Sequence, residues 1–225
     1  AGTTRLTCSG TTGCHGDRAV AGVGASMKGA HHTNDAALKF GTISEAGQSN
    51  TNVGLSYRFL LGVRGGEETN WMGVSPSSTV HNEYKGATAG VEGTISTPGG
   101  NTISGFCSEC HGDFHGGATD IGGPAGTPWL RHPTDITLPG GTTEYAAYTV
   151  YNITAPVART AIPNAISGTV VPGTDKVMCL SCHRAHASAN FKMMRWDYKN
   201  ATLLSGTPVI TDALYGCVVC HTSKN

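Results

Sequence analysis

Residues 107–111 read Cys107-Ser108-Glu109-Cys110-His111, and the same frame recurs at Cys179-Leu180-Ser181-Cys182-His183 and Cys217-Val218-Val219-Cys220-His221. Two thiols separated by two residues, with a histidine directly behind the second, form the attachment site of a c-type haem. The spacing follows from the chemistry. The thiols add across the two vinyl groups of one porphyrin, and the next residue, already beside the ring, offers an imidazole to the iron. Near the start, five residues separate Cys8 from Cys14, and His15 follows Cys14, so the iron-binding half of the frame survives in a stretched copy. Four haem c groups per chain are expected. Their tethers are Cys8 and Cys14, Cys107 and Cys110, Cys179 and Cys182, Cys217 and Cys220, and their first axial ligands are His15, His111, His183 and His221.

The chain has eight cysteines and the four sites use them all. Disulfide pairing accounts for an even count in an exported protein but not for a histidine behind the second thiol at every site. A four-thiolate zinc site could be drawn from Cys179, Cys182, Cys217 and Cys220. Zinc needs none of the adjoining histidines, and it leaves Cys8/Cys14 and Cys107/Cys110 without a shared geometry.

The composition points the same way. Charged residues are 13% and aromatics 7% of the 225 residues, while 32 are glycine, so strong helix and strand formers are few. A chain of this kind buries little apolar surface against its conformational entropy. Covalently held porphyrins would complete the core, as a structural metal does in a small domain. The expected fold is a single domain over 1–225, mostly irregular and loop-rich, with a few short helices, minor β-structure and a core of stacked haems. It is not expected to fold without them. Fifteen basic residues balance fifteen acidic ones, which gives no global field toward nucleic acid or an acidic membrane surface and permits self-association. No apolar run has the length of a transmembrane helix. Because covalent haem is attached on the exported side of the membrane, the chain is read as a mature form whose signal peptide has been removed.

Between the motifs, residues 30–40 suggest a short helix and residues 55–63 (LSYRFLLGV) an apolar segment. Gly65-Gly66 and Pro98-Gly99-Gly100 suggest turns. Residues 142–154 (TTEYAAYTVYNIT) are the best strand candidate. Residues 188–198 (SANFKMMRWDY) suggest a helix capped by Ser188, with Phe191, Met193, Met194 and Trp196 packing on porphyrin faces. No repeat beyond the haem motifs is evident. Asn152 and Asn200 open N-x-T triplets, potential glycan acceptors.

A six-coordinate iron needs a second ligand, and ten histidines less four in the motifs leave His31, His32, His81, His115, His132 and His186. Every iron can be closed on both faces, which favours electron uptake and release over substrate chemistry. His186 lies three residues beyond His183 and His115 four beyond His111, so each pair can diverge from one helical turn toward neighbouring haems. His132 precedes Pro133, which imposes an extended approach, and Arg131 could meet a propionate. The adjacent His31 and His32 would point to opposite sides of an extended segment. His132 and His186 rank first, then His31 and His32, then His115 and His81.

Beyond the motifs, the His31-His32 pair, SYRFLLGVRGGE at 56–67, HNEYKG at 81–86, CSECHGDFHG at 107–116, WLRHPTD at 129–135, CLSCHRAH at 179–186 and the terminal CVVCHTSK carry a likeness spanning nearly the whole chain. In these segments the chain resembles the OmcE-type tetrahaem cytochromes, which polymerise into extracellular filaments in metal-reducing bacteria, with related filaments in archaea. The resemblance implies bis-histidine haems stacked in a line through a conductive filament at the cell surface. It also implies a distal histidine donated to the neighbouring subunit, for which His31 or His32 is the expectation. The usual motif spacing is absent at Cys8 and Cys14.

The leading expectation is therefore a non-enzymatic electron carrier, the repeating subunit of an extracellular filament, with redox proteins or external acceptors as partners. The alternative is a monomeric soluble periplasmic or extracellular tetrahaem shuttle. Shuttles often carry a one-signed docking patch, which neutrality disfavours. A haem enzyme reducing a small oxyanion would need an iron without its distal ligand, and the surplus of histidines speaks against one.

Overall fold

The computed structural model describes residues 5–27, 51–68, 75–87, 101–111, 132, 134–197 and 216–223. The helix expected at 30–40, the turn at 98–100, and His31, His32, His115, Tyr198 and Asn200 lie outside the described residues.

Among the described residues regular structure is sparse and each piece is short, as the glycine-rich composition implies. In order the elements are β1 (Thr7–Ser9), β2 (Gly13–His15), α1 (Val23–Ser26), β3 (Gly65–Gly66), β4 (Glu83–Tyr84), α2 (Ile103–Ser108), β5 (Ile136–Thr137), β6 (Lys176–Val177), α3 (Cys179–Cys182) and α4 (Gly216–Cys220). They form three two-stranded ladders: β1 with β2 parallel, β3 with β4 antiparallel and β5 with β6 antiparallel. No helix among the described residues is long and apolar enough to cross a membrane.

Two apolar clusters seat the motif helices. In the first, Tyr57 and Val63 meet Ile103 and Phe106 of α2 and Met178 and Leu180 at α3. In the second, Leu138, Tyr148, Tyr151, Val157, Val170 and Val177 pack together, with Val219 and Cys220 of α4 against them. Each fully buried side chain of this kind contributes about 1.5–3 kcal/mol. The described residues thus build two small cores from polypeptide alone, beside whatever the expected haems would add.

Several local expectations are corrected. Residues 142–154 form successive turns with one isolated bridge, Val150 to Thr169. Polar side chains compete there with a ladder: Asn152 Oδ1 accepts from the Thr154 N–H at 2.8 Å, and Thr143 Oγ1 accepts from the Tyr145 N–H at 3.4 Å. Tyr148 and Tyr151 are nevertheless buried. Gly65-Gly66 is a strand pair and not a turn. A Cβ on Gly65 would lie 2.6 Å from the Glu83 carbonyl oxygen and 2.8 Å from the Tyr57 ring, so the close approach of β3 to β4 and Tyr57 requires glycine. The helix expected at 188–198 reduces to a 3-10 turn at Phe191–Met193. Ser188 Oγ accepts from the Asn190 N–H at 3.1 Å, closing a local turn ahead of it. Residues 55–63 contain a similar 3-10 turn at Tyr57–Phe59.

A buried ionic network ties the loops together. Arg159 Nε donates to Glu83 Oε2 at 2.8 Å, its Nη1 to Asp175 Oδ2 and to the Thr169 carbonyl, and its Nη2 to the Ser167 carbonyl at 2.8 Å. Glu83 Oε1 also accepts from the Ser167 N–H at 2.9 Å. Burial alone would raise the Glu83 pKa. Hydrogen bonds from His81 and Arg159, the Arg159 charge and the Ser167 N–H outweigh it and lower the pKa. Asp175 goes the other way, because burial outweighs Arg159.

Candidate haem attachment sites

Each regular motif opens on a helical turn. The His111 N–H bonds to the Cys107 carbonyl at 3.1 Å, His183 to Cys179 at 3.0 Å and His221 to Cys217 at 2.8 Å. Positions i and i+3 of such a turn share one face, which sets the two thiols of each motif on a common side. Thr102 caps α2, its Oγ1 accepting from the Gly105 N–H at 2.9 Å, and the same hydroxyl donates to Asp135 Oδ2 at 2.7 Å.

The stretched site reaches the same end by another route. The register of β1 and β2 pairs Thr7 with Gly13 and Ser9 with His15, which sets Cys8 alongside Cys14. The intervening loop turns at Gly10, whose φ of 89° suits glycine. Gly13 has no room for a side chain, since a Cβ there would collide with the Ser9 backbone. The three additional residues are taken up by the loop, and the two thiols are still neighbours.

The motifs follow one another in space. The Cys107 thiol hydrogen-bonds that of Cys179, which with burial drives its pKa far above the ordinary thiol value. The Cys179 N–H bonds to Ser104 Oγ of α2 at 3.1 Å. Burial, then Cys217 and Cys220, push the Cys182 pKa up to about 12, and burial followed by Cys217 does the same for Cys220. Arg18, just beyond the first motif, pairs with Glu109 inside the second and lies 4.6 Å over the Phe106 ring. All eight cysteines are free of disulfides, although Cys8 stands beside Cys14. Among the described residues no three His, Cys, Asp or Glu side chains gather as a metal cluster.

Three motif histidines have their outer nitrogen engaged. His15 Nδ1 lies 3.0 Å from the Arg58 carbonyl, His183 Nδ1 2.9 Å from the Lys192 carbonyl and His221 Nδ1 2.9 Å from Glu144 Oε1. A carbonyl only accepts, so at His15 and His183 the shared proton belongs to Nδ1, and Nε2 of the neutral ring keeps its lone pair for a metal.

The two carbonyl sites share a device absent from the sequence reading. Arg58 and Phe59 have φ of 51° and 60°, and Lys192 and Met193 have φ of 58° and 57°. Two consecutive left-handed residues aim successive carbonyls the same way, at a cost of roughly 1–2 kcal/mol each. The first carbonyl receives the histidine Nδ1–H. The second receives the next backbone N–H, Gly16 to Phe59 at 2.9 Å and Arg184 to Met193 at 2.9 Å. This is a structural repeat, carried by Tyr57-Arg58-Phe59 and Phe191-Lys192-Met193. Its only sequence trace is an aromatic, a basic and an apolar residue in a row.

The histidines ranked first meet motif histidines. The His186 ring centre is 6.1 Å from that of His15, and the His132 ring centre is 6.3 Å from that of His221. Two imidazoles facing each other across one metal, each nitrogen about 2 Å away, have ring centres roughly 6 Å apart. The divergence of His186 from His183 does occur, but not from one helical turn. The α3 helix stops at Cys182, His183 is extended with φ −109° and ψ 157°, and His186 turns back toward the first motif. His81 is buried, with Nδ1 3.2 Å from the Ser77 carbonyl, Nε2 3.3 Å from Glu83 Oε1 and its ring 3.5 Å above Tyr151. Both its nitrogens face acceptors, so in this arrangement it serves the Arg159 network. Arg58, Arg184 and Arg195 line an open cavity beside His81 and Tyr84, together with Glu68; Arg58 is paired with Glu67 at 3.0 Å, which leaves Arg184 and Arg195 as the guanidiniums suited to carboxylates such as propionates. Within the expected porphyrin-packing group, Phe191 and Met193 are exposed and Trp196 is buried, packed tightly against Gly216 at the start of α4.

No family model, curated protein or solved structure matches the chain. The donor set and its geometry therefore carry the functional reading.

Proposed function

We propose that the chain is a tetrahaem electron carrier, the repeating subunit of an extracellular filament of the kind its sequence resembles. The single observation carrying the haem reading is the pairing of His15 with His186 and of His221 with His132, at the separation one metal would need, directly beside cysteine pairs. Haem supplies a reversible one-electron site when bound. The chain's residues do the rest. The cysteine pairs would hold the ring, the pairs His15/His186 and His221/His132 would ligate the metal, and the Nδ1 acceptors orient His15, His183 and His221. The guanidiniums of Arg184 and Arg195 supply positive charge beside the third motif. His111 and His183 draw their partners from the remaining histidines, His31, His32 and His115, with His31 or His32 donated by a neighbouring subunit. A distal histidine at every site would leave no iron open to substrate, which supports a carrier over an enzyme.

Polymerisation rests on the sequence likeness and is favoured over a monomeric shuttle by the zero formal net charge. Two measurements test the proposal. A purified sample should give a wholly low-spin spectrum indifferent to carbon monoxide and cyanide, and His132→Ala and His186→Ala should each turn one haem of four high-spin. Electron microscopy of the same sample should show thin persistent fibres. Monomers alone would favour the shuttle, and unchanged spectra in both variants would refute the ligand pairs.

A further inference from the structure

Three motif histidines, His15, His183 and His221, are held by the same pair of bonds, one from Nδ1 and one from the following N–H, but the acceptors differ. At His15 and His183 both acceptors are main-chain carbonyls of a left-handed pair. At the last motif both acceptors belong to one residue, Glu144. Its carbonyl takes the Thr222 N–H at 2.8 Å and its carboxylate takes His221 Nδ1 at 2.9 Å. The Glu144 and His221 side chains are 28% and 21% exposed, so the pair is partly shielded from water. The Tyr145 ring, 4.9 Å from His221, covers one side.

A neutral carbonyl orients an imidazole and raises its basicity only modestly. A carboxylate also pulls the Nδ1 proton toward itself, which makes the ring a stronger electron donor through Nε2. A more donating axial ligand stabilises the oxidised metal, and so does the negative charge itself. We infer that Glu144 is a positioning residue that lowers the reduction potential of the haem carried by Cys217 and Cys220 relative to those at the first and third motifs. This rests on the haem reading above and adds an ordering to it. Electrons would leave the terminal site more readily than the first or third, an ordering set by one carboxylate.

The test is potentiometric titration of the haem-loaded protein and of its Glu144→Gln variant, which keeps an oxygen acceptor for Nδ1 and removes the charge. One couple of four should move to more positive potential while all haems stay low-spin. Four couples that stay in place, or a shift to more negative potential, would overturn the role of Glu144. A protein without four haem couples would instead overturn the function proposed above. A second comparison needs no change at Glu144. The couple displaced by His132→Ala should lie below the one displaced by His186→Ala, and the reverse order would overturn the inference.

Discussion

The Arg159 network and the cysteine sites are built on opposite principles. Around Arg159 the protein completes itself: Glu83 is fully buried, and the guanidinium donates to two carboxylates and two carbonyls. At the cysteine sites it does not. Thiols stand beside one another without bonding covalently, and two pairs of imidazoles, His15 with His186 and His132 with His221, lie with ring centres 6.1 and 6.3 Å apart, a separation that suits two ligands of one metal. One region is finished by polypeptide, and the other is, on the proposed reading, finished by a cofactor. Mutations in the first should therefore register as lost stability, and mutations in the second as altered spectra and potentials.

The largest stability effect should come from Arg159→Ala, which leaves Glu83 and Asp175 buried without their cation. A loss of about 3–5 kcal/mol is expected, measured by denaturant titration of the haem-loaded protein, with the low-spin spectrum unchanged in the folded state. A change in the haem spectrum without a loss of stability would erase the distinction between the two regions. Gly65→Ala should cost about 1–3 kcal/mol, because the added methyl must displace the Glu83 carbonyl or the Tyr57 ring.

Acid should act on the first region as well. The Glu83 pKa is lowered on folding, so its contribution is complete above the ordinary glutamate range and is lost as pH falls through the depressed value. Asp175, raised by burial, works in the opposite direction. Comparing the pH profile of stability with that of Glu83→Gln isolates the glutamate, and the variant should lose less stability on acidification. Smallest of all, Arg18→Ala should cost at most about 1 kcal/mol, since its ion pair with Glu109 and its contact with Phe106 are partly exposed. If it instead disturbed the spectrum of two haems, the link between the first and second motifs would prove functional.

The loop-rich character of the fold was legible in the composition, and the candidate sites in a local sequence frame. Cys-x-x-Cys-His is a local frame, and one helical turn is enough to orient it, so three sites could be read directly. The stretched site could be read as chemistry but not as shape, because the parallel pairing of Thr7–Ser9 with Gly13–His15 depends on a glycine turn and has no periodic pattern. His132 and His186 were singled out by proximity to proline or to a motif, and both meet a motif histidine. His81 met the same test of residue type and is instead held by Ser77, Glu83 and Tyr151. Residues 142–154 carry β-formers, but Asn152 and Thr143 bond their own backbone and turn the chain. The carbonyls of Arg58 and Lys192 were illegible because a main-chain acceptor leaves no side-chain trace. Glu144 was illegible because it lies 77 residues from His221.

Intact-mass measurement of the purified mature chain tests the central claim most directly. The account predicts the polypeptide mass plus four haems, held through denaturation by thioether bonds at all eight cysteines. A mass equal to the bare chain, or one explained by disulfides between neighbouring cysteines, would contradict it.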